Sequence, residues 1–269
     1  MKVNDEKTQL VIMTSSRKRE FLNNDVSINT PSEVIKPTVS ERLLGIDIHE
    51  DMKWQEYLLY SESSLLRSLQ KRLNALKRIR NVASFKTRLM IANGIFCSKI
   101  LYCLPLFGGA DQYVLRRLQV VLNEAARIVT KLGSRTPIAD LLIQTGWLSI
   151  SQLAFLHSVL LVAKVHNSGK PEYLAEKMKN DYRYDTRISR QKYIQWGPEF
   201  KATKSLTLRS WRWFGTANFN KIPPAIRNTS DKKVFKIKLA QWIRENISIW
   251  FTSTLQLQQK WTFNVWMLT

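Results

Sequence analysis

The spacing of apolar positions divides the chain into a short β-rich start and a long helical remainder. In residues 1–52 the apolar runs are brief and bounded by turn formers. Gln9–Thr14 (QLVIMT) reads as a strand, followed by a polar turn, SSRKRE. Val26–Ile28 and Val34–Ile35 are short β-branched pieces separated by NTPSE. Leu43–Ile48 (LLGIDI) is a further strand candidate, with Gly45 marking a bulge or a close backbone approach.

From Trp54 the period lengthens. Leu58, Leu65, Leu69, Leu73 and Leu76 predict an amphipathic helix running to about Arg80. Ser84 caps a second helix through about Tyr102, which Pro105 and Gly108-Gly109 end. Asp111 opens a third. There Leu115, Leu118, Leu122, Ala125, Val129 and Leu132 alternate three- and four-residue steps, a bundle seam stopped by Gly133. Pro137–Thr145 is a short helix closed by Gly146. Ser149 and Gln152 fit a capping box for a long helix to about Asn167. The wide apolar set of that helix (Leu153, Leu156, Leu160, Leu161, Val165) marks it as buried. Gly169-Lys170-Pro171 breaks it, and Glu172–Asn180 is a short further helix. Periodicity fades over 181–232, and Val234–Ile247 forms the last helix. The tail Ser248–Thr269 carries Trp250, Trp261 and Trp266 with almost no charge and reads as an irregular appendage. The expected fold class is mainly α with a small N-terminal β portion. The expected segments are 1–53, 54–135, 136–247 and an unassigned tail, 248–269.

Charge changes this picture more than composition does. Of 269 residues 44% are hydrophobic, enough for a real core, so global disorder is excluded. Gly (9) and Pro (8) are too few for a collagen-like or linker-dominated chain. Lys+Arg is 42 against 21 Asp+Glu, a net +21. The pI near 10.1 lies above the value of about 9 that flags nucleic-acid-binding domains. An acidic membrane surface and an acidic protein are the other anionic partners such a charge admits. Over residues 67–135 fourteen Lys/Arg face two acids, Asp111 and Glu124, a difference of +12. A merely solvated helix face mixes both signs, so this purity points to a surface that tracks a phosphate backbone. The candidate contacts are Arg67, Lys71, Arg72, Lys77, Arg78, Arg80, Lys86, Arg88, Arg116, Arg117, Arg127 and Lys131. Further on, cations alternate with aromatics: Tyr182, Arg183, Tyr184, Arg187, Arg190, Lys192, Tyr193, Trp196, Arg209, Trp211, Arg212, Trp213. Such a stretch either stacks bases or is a loop pinned by its rings into a groove of its own helices.

Complete catalytic machinery is not visible. Cys97 and Cys103 cannot make a disulfide framework or a four-ligand zinc site, and read as small buried side chains in a reducing compartment. The N-terminus MKVNDEKTQLVIM lacks the apolar core of a secretory signal. An intracellular location, nuclear or cytoplasmic, is expected. The most apolar window, Leu89–Phe107, contains Asn93, Gly94, Ser98 and Lys99 and reads as a buried helix. Two-metal phosphoryl chemistry needs converging carboxylates, yet no Asp-Asp dipeptide occurs. The one acidic cluster, Asp47-Ile48-His49-Glu50-Asp51, reads as turn or cap chemistry. His49, His157 and His166 have no zinc spacing, and no Gly-rich phosphate loop or G-x-S-x-G is present.

Several short motifs occur in a telling order. Lys2-Val3-Asn4-Asp5-Glu6-Lys7-Thr8 before an apolar run resembles the L-x-N-x-x-K-T segment of non-LTR (LINE-type, jockey-like) retrotransposon reverse transcriptases. Leu43-Leu44-Gly45-Ile46-Asp47-Ile48, then Met52-Lys53-Trp54, resembles that family's primer-grip block leading into the thumb. Tyr102, Leu118-Gln119, Gly146-Trp147-Leu148 and Ile150 resemble its thumb and post-thumb pattern. So do Pro171-Glu172-Tyr173-Leu174, Arg187, Phe214-Gly215, Asn218, Ile222-Pro223, Ile226-Arg227 and Phe235-Lys236. The resemblance spans roughly residues 1–245.

The resemblance implies a palm remnant (1–53), a helical thumb (54–135) and a basic post-thumb region (136–247). It implies that Asn4, Lys7 and Thr8 lie near the incoming nucleotide's phosphates, and that Leu44, Gly45 and Ile46 contact the primer strand. The basic helices would then hold RNA or an RNA–DNA hybrid. Fingers, most of the palm and the metal-binding aspartates of the family have no counterpart. The expectation is therefore a C-terminal remnant of an element, from an internal start or a degraded copy, that binds but does not polymerise alone. No cofactor is expected in this chain, and magnesium only in the intact polymerase. The rival expectations are a basic helical interaction or membrane-surface protein without catalysis, and a remnant that folds poorly for want of its palm.

Overall fold

The computed structural model describes residues 8–14, 16–30, 34–176 and 211–247. The described chain is mostly helical, with its strands confined to the first fifty residues. It forms two compact units, residues 1–68 and 69–269.

The smaller unit begins with an extended segment that makes one parallel bridge, Leu10 to Pro37, where the Thr38 amide donates to the Leu10 carbonyl at 2.8 Å. The strand expected over Gln9–Thr14 is reduced to that bridge. The SSRKRE segment, expected as a turn, instead starts helix α1 (Ser16–Asp25). The reason is tertiary. The buried guanidinium of Arg19 donates to Glu50 Oε1 (2.6 Å), Asp51 Oδ1 (2.7 Å) and the Thr14 carbonyl (3.0 Å). Two carboxylates around one arginine outweigh the turn preference of two serines. The Arg19 hydrogen bond, more than any other cause, holds the Asp51 carboxyl below the usual carboxylate range.

Strands β1 (Ile28–Asn29) and β2 (Val34–Ile35) pair antiparallel, as do β3 (Ser40–Leu43) and β4 (Ile46–His49). The Leu43–Ile46 pairing leaves two residues to reverse the chain, Leu44 and Gly45, at φ +50° and +81°. Two positive φ angles mark a type I′ turn, whose twist suits a two-residue hairpin. The single strand expected over Leu43–Ile48 is thus a hairpin with Gly45 at its tip.

A π-helical turn, Glu56–Tyr60, follows, and then helix α2 (Leu65–Ile79). The continuous helix expected from Trp54 to Arg80 is broken over Ser61–Ser64. Ser61 and Ser63 donate their hydroxyls to Asp47 Oδ2 at 2.9 and 2.8 Å, and the Ser64 carbonyl accepts from the Ser68 amide. Serine hydroxyls that find a carboxylate compete with helix continuation.

In the larger unit, Ser84 caps α3 (Phe85–Ile91), its Oγ accepting from the Thr87 amide. A π-helical stretch, Ala92–Cys97, passes into α4 (Ser98–Leu101). Pro105 does not end this run. It lies in the first turn of a separate short helix, α5 (Leu104–Phe107). Then come α6 (Gln112–Thr130), α7 (Ile138–Thr145), α8 (Ile150–Ser168) and α9 (Glu172–Glu176). Residues 177–210 lie outside the described set, and with them most of the alternating basic and aromatic stretch. Trp211–Lys221, expected as aperiodic, is helix α10, and α11 (Pro224–Arg227) and α12 (Lys232–Asn246) follow.

The core forms around α8. Its capping box is present as expected: Ser149 Oγ accepts from the Gln152 amide while Gln152 Oε1 accepts from the Ser149 amide. Phe155, Leu156, Val159, Val162 and Val165 pack with Phe219 from α10, Ile222 just after it, and Phe235, Leu239 and Ile243 from α12. Buried amides tie the helices at fixed points. Gln119 on α6 accepts from the Ile150 amide (2.7 Å) and donates to Asn123 (2.7 Å), while Gln152 donates to the Ile247 carbonyl (2.8 Å). Among the described residues no single helix is long and apolar enough to cross a membrane.

Gly108 shows how tightly α5 seats on α8. A Cβ there would lie 2.9 Å from Ala154 Cβ and 3.0 Å from the Leu104 carbonyl oxygen. Gly108→Ala is expected to cost about 1–3 kcal/mol in denaturant unfolding. Gly94→Ala, where a Cβ meets nothing within 4 Å, is expected to cost nothing measurable. Equal losses at the two sites would contradict this packing.

Candidate nucleic-acid interface

In the larger unit, α6 and the part of α2 from Leu69 onward turn one face to the core and the other to solvent. On α2, Leu69, Leu73 and Leu76 are buried, and Lys71, Asn74, Lys77 and Arg78 are exposed. On α6, Leu115, Leu118, Leu122, Ala125 and Val129 are buried, as the seam predicts, while Tyr113, Arg116, Arg117 and Val120 are exposed. Residues 113, 116, 117 and 120 recur at three and four residues and so share one stripe. One ion pair links the two helices. Lys77 Nζ lies 2.7 Å from Glu124 Oε1, with both side chains about half exposed. So exposed a pair adds little stability, but it fixes the neighbourhood. Lys71 and Arg78 lie within two turns of Lys77, and Arg117 two turns from Glu124. The result is a cationic face with one acid, already neutralised.

Not every expected arginine joins it. Arg88 is buried, its Nε donating to the Val129 carbonyl at 2.9 Å and its Nη1 to the Arg80 and Ala83 carbonyls. It satisfies helix-end carbonyls that have no intrahelical partner, and this corrects its placement among backbone contacts. Arg72 is half-buried and donates to the Ile95 carbonyl (3.0 Å) in the π-helical stretch. Arg127 is half-buried and reaches the Ser134 carbonyl (3.4 Å). Each leaves a buried Nε without a partner. Arg80, Lys86 and Lys131 are exposed, Lys131 at φ +63° ending α6 in place of the expected Gly133. Arg67 is exposed in the first turn of α2 and belongs to the smaller unit.

In the smaller unit, Leu44 is 81% exposed at the hairpin tip beside Gly45, while Ile46 is 4% exposed and faces the core. Only the first two of the three expected primer-strand contacts therefore present themselves. A leucine at φ +50° is strained by about 1–2 kcal/mol relative to glycine, and such strain concentrates at functional sites. Asn4 and Lys7 lie outside the described residues. Thr8 is half-buried.

Among the described residues the carboxylates of the acidic cluster are committed to local partners. Asp47 accepts from two serines, and Glu50 and Asp51 hold Arg19. Carboxylates so committed do not fit a magnesium site. Among the described residues no three His, Cys, Asp or Glu gather as metal ligands. Burial pushes the Cys97 thiol up to about 12, so at neutral pH it is no nucleophile. Burial, with the charge of Lys236, lowers His157 and keeps it neutral.

Sequence reasoning overlooked a second cationic cluster, Lys164, Arg227, Lys232 and Lys236, around a cavity in the larger unit. The i, i+4 lysines of α12 were its one local signal, and the purer charge run at 67–135 overshadowed them. In comparisons with known proteins, no family model, curated protein or solved structure matches this chain.

The contrast between Arg88 and its exposed neighbour Lys86 is testable. Arg88→Gln is expected to lower stability by about 1–3 kcal/mol, since it strands buried carbonyls. Lys86→Gln is expected to stay within about 0.5 kcal/mol. Thermal unfolding of both variants decides, and a neutral Arg88→Gln would return Arg88 to the surface set.

Proposed function

We propose that this chain grips the backbone of RNA or an RNA–DNA hybrid, as the thumb-containing part of a reverse transcriptase of the non-LTR retrotransposon kind. The observation that carries the reading is the Lys77–Glu124 pair that links α2 to α6, with Lys71 and Arg78 exposed on the one helix and Arg116 and Arg117 on the other. Lysines and arginines at helical spacing neutralise phosphates without reading bases. An A-form duplex, whose deep major groove excludes side chains, is held by shape and backbone. The face is mixed rather than apolar, with Tyr113 and Val120 flanking Arg116 and Arg117 along α6, where they would lie against sugars.

The ordered motifs from Asn4 to Lys236 support the family assignment. The type I′ turn at Leu44–Gly45 supports a close-approach role for the grip-like motif, because its tip is exposed and its backbone unencumbered by a second side chain. On this reading 1–53 is the end of a palm, 54–135 a thumb and 136–247 a post-thumb region. With Asp47, Glu50 and Asp51 holding serines and an arginine, no phosphoryl-transfer step is assigned to these residues.

Binding of the full chain to an RNA–DNA hybrid should fall steeply with salt, each neutralised phosphate adding about 0.7–0.9 to the log–log slope. The triple variant Lys71→Glu, Arg78→Glu, Arg117→Glu should flatten that slope by about 2 or more and weaken binding at low salt by more than tenfold. A slope near zero, a slope unchanged in the triple variant, or retention by anionic liposomes in preference to the hybrid would overturn the proposal.

A further inference from the structure

We infer that the larger unit holds a separate pocket for a nucleoside monophosphate, with α8, α10 and α12 as its walls. The cavity measures about 270 Å³. Its floor is apolar: Leu160 and Ala163 from α8, Phe219 from α10 and Phe235 from α12. Its rim is cationic: Lys164 from α8, Arg227 at the end of α11, and Lys232 and Lys236 one turn apart on α12. Lys164, Lys232 and Lys236 are exposed, and none of the residues lining the cavity is acidic. The nearest carboxylate by sequence, Asp231, is turned into the start of α12, where Oδ1 accepts from the Lys233 and Val234 amides at 2.7 and 2.8 Å.

Each part of the cavity selects one part of the ligand. Cations from three helices favour a compact dianion over a neutral molecule. Inorganic phosphate would satisfy the rim and leave the apolar floor wet, so the ligand carries a ring. A saturated chain would satisfy the floor and leave unmatched the Ser230 hydroxyl and whatever polar capacity Asn167 and Thr229 do not spend on His166 and the Ala225 carbonyl. A base edge and a ribose offer donors and acceptors for those groups. The volume lies just under the usual range for small-molecule sites, about 300–1,000 Å³, which suits one nucleotide and excludes a dinucleotide or a lipid. The ligand is a free nucleotide or one unpaired unit of a single strand. The chemistry recognised is the same. The pocket uses none of the residues of the α2–α6 face, so it stands or falls apart from the duplex reading.

The test is calorimetric titration of the full chain with adenosine 5′-monophosphate, adenosine, inorganic phosphate and a single-stranded oligoadenylate. The monophosphate should bind saturably and at least about tenfold more tightly than adenosine or phosphate. Lys164→Glu with Lys236→Glu should weaken it by about tenfold or more, whereas Lys71→Glu with Arg117→Glu should leave it unchanged. Both pairs are exposed, and Lys164→Gln with Lys236→Gln should weaken binding in the same direction, which separates charge from folding. Displacement of the monophosphate by oligoadenylate supports the pocket with a strand as its source. Saturable monophosphate binding that oligoadenylate does not displace supports it with the free nucleotide. Phosphate binding as tightly as the monophosphate, no saturable binding of the monophosphate, or indifference to the Lys164–Lys236 pair would overturn the proposal.

Discussion

Helix α8 is apolar on nearly every side, and covering it organises the larger unit. Val159, Val162 and Val165 are 0–1% exposed beneath α10 and α12, and Gly108 lets α5 approach Ala154 more closely than a Cβ would permit. Fully burying a side chain of this size is worth about 1.5–3 kcal/mol, so the gain is large only if neighbours close over the helix all round. Polar groups drawn into that core must then be paired. The Gln119 bonds to Ile150 and Asn123, and the Gln152 bond to Ile247, meet this demand and set the helices in register.

Covering α8 with the apolar faces of amphipathic helices sends the remaining residues outward, and in this chain cations outnumber acids two to one. A surface at net +21 repels itself. The chain relieves part of this by turning Arg88, Arg72 and Arg127 toward backbone carbonyls, where their guanidinium groups close helix ends and a π-helical stretch. The cations left on α2 and α6 have no such use. On the proposed reading a polyphosphate would remove their mutual repulsion and release counterions as it binds. The α8–α12 rim adds a smaller cationic locus over an apolar floor, so one scaffold carries both an exposed cationic face and a confined pocket.

Features whose cause is local were legible from sequence. The Ser84 cap, the Ser149–Gln152 capping box and the α6 seam from Leu115 to Val129 appear as the spacing predicts, because each depends on neighbours within two helical turns. Features whose cause is distant were not. Helix α1 depends on carboxylates about thirty residues away from Arg19. The break at Ser61–Ser64 depends on Asp47, and the inward turn of Arg88 depends on the end of α6. The hairpin tip was half legible: Gly45 marked an unusual backbone, but a bulge and a turn share that signal until the Leu43–Ile46 register is known. For the candidate face, charge purity located the right helices, while which arginines face solvent required the packing.

The account turns on which surface meets the phosphate backbone. Lysine-selective labelling of the full chain, read by mass spectrometry with and without a saturating RNA–DNA hybrid, tests this directly. Lys71 and Lys77 are predicted to lose reactivity in the complex while Lys53, on the smaller unit, retains it. Undiminished labelling at Lys71 and Lys77 in a chain that has bound the hybrid would contradict the account.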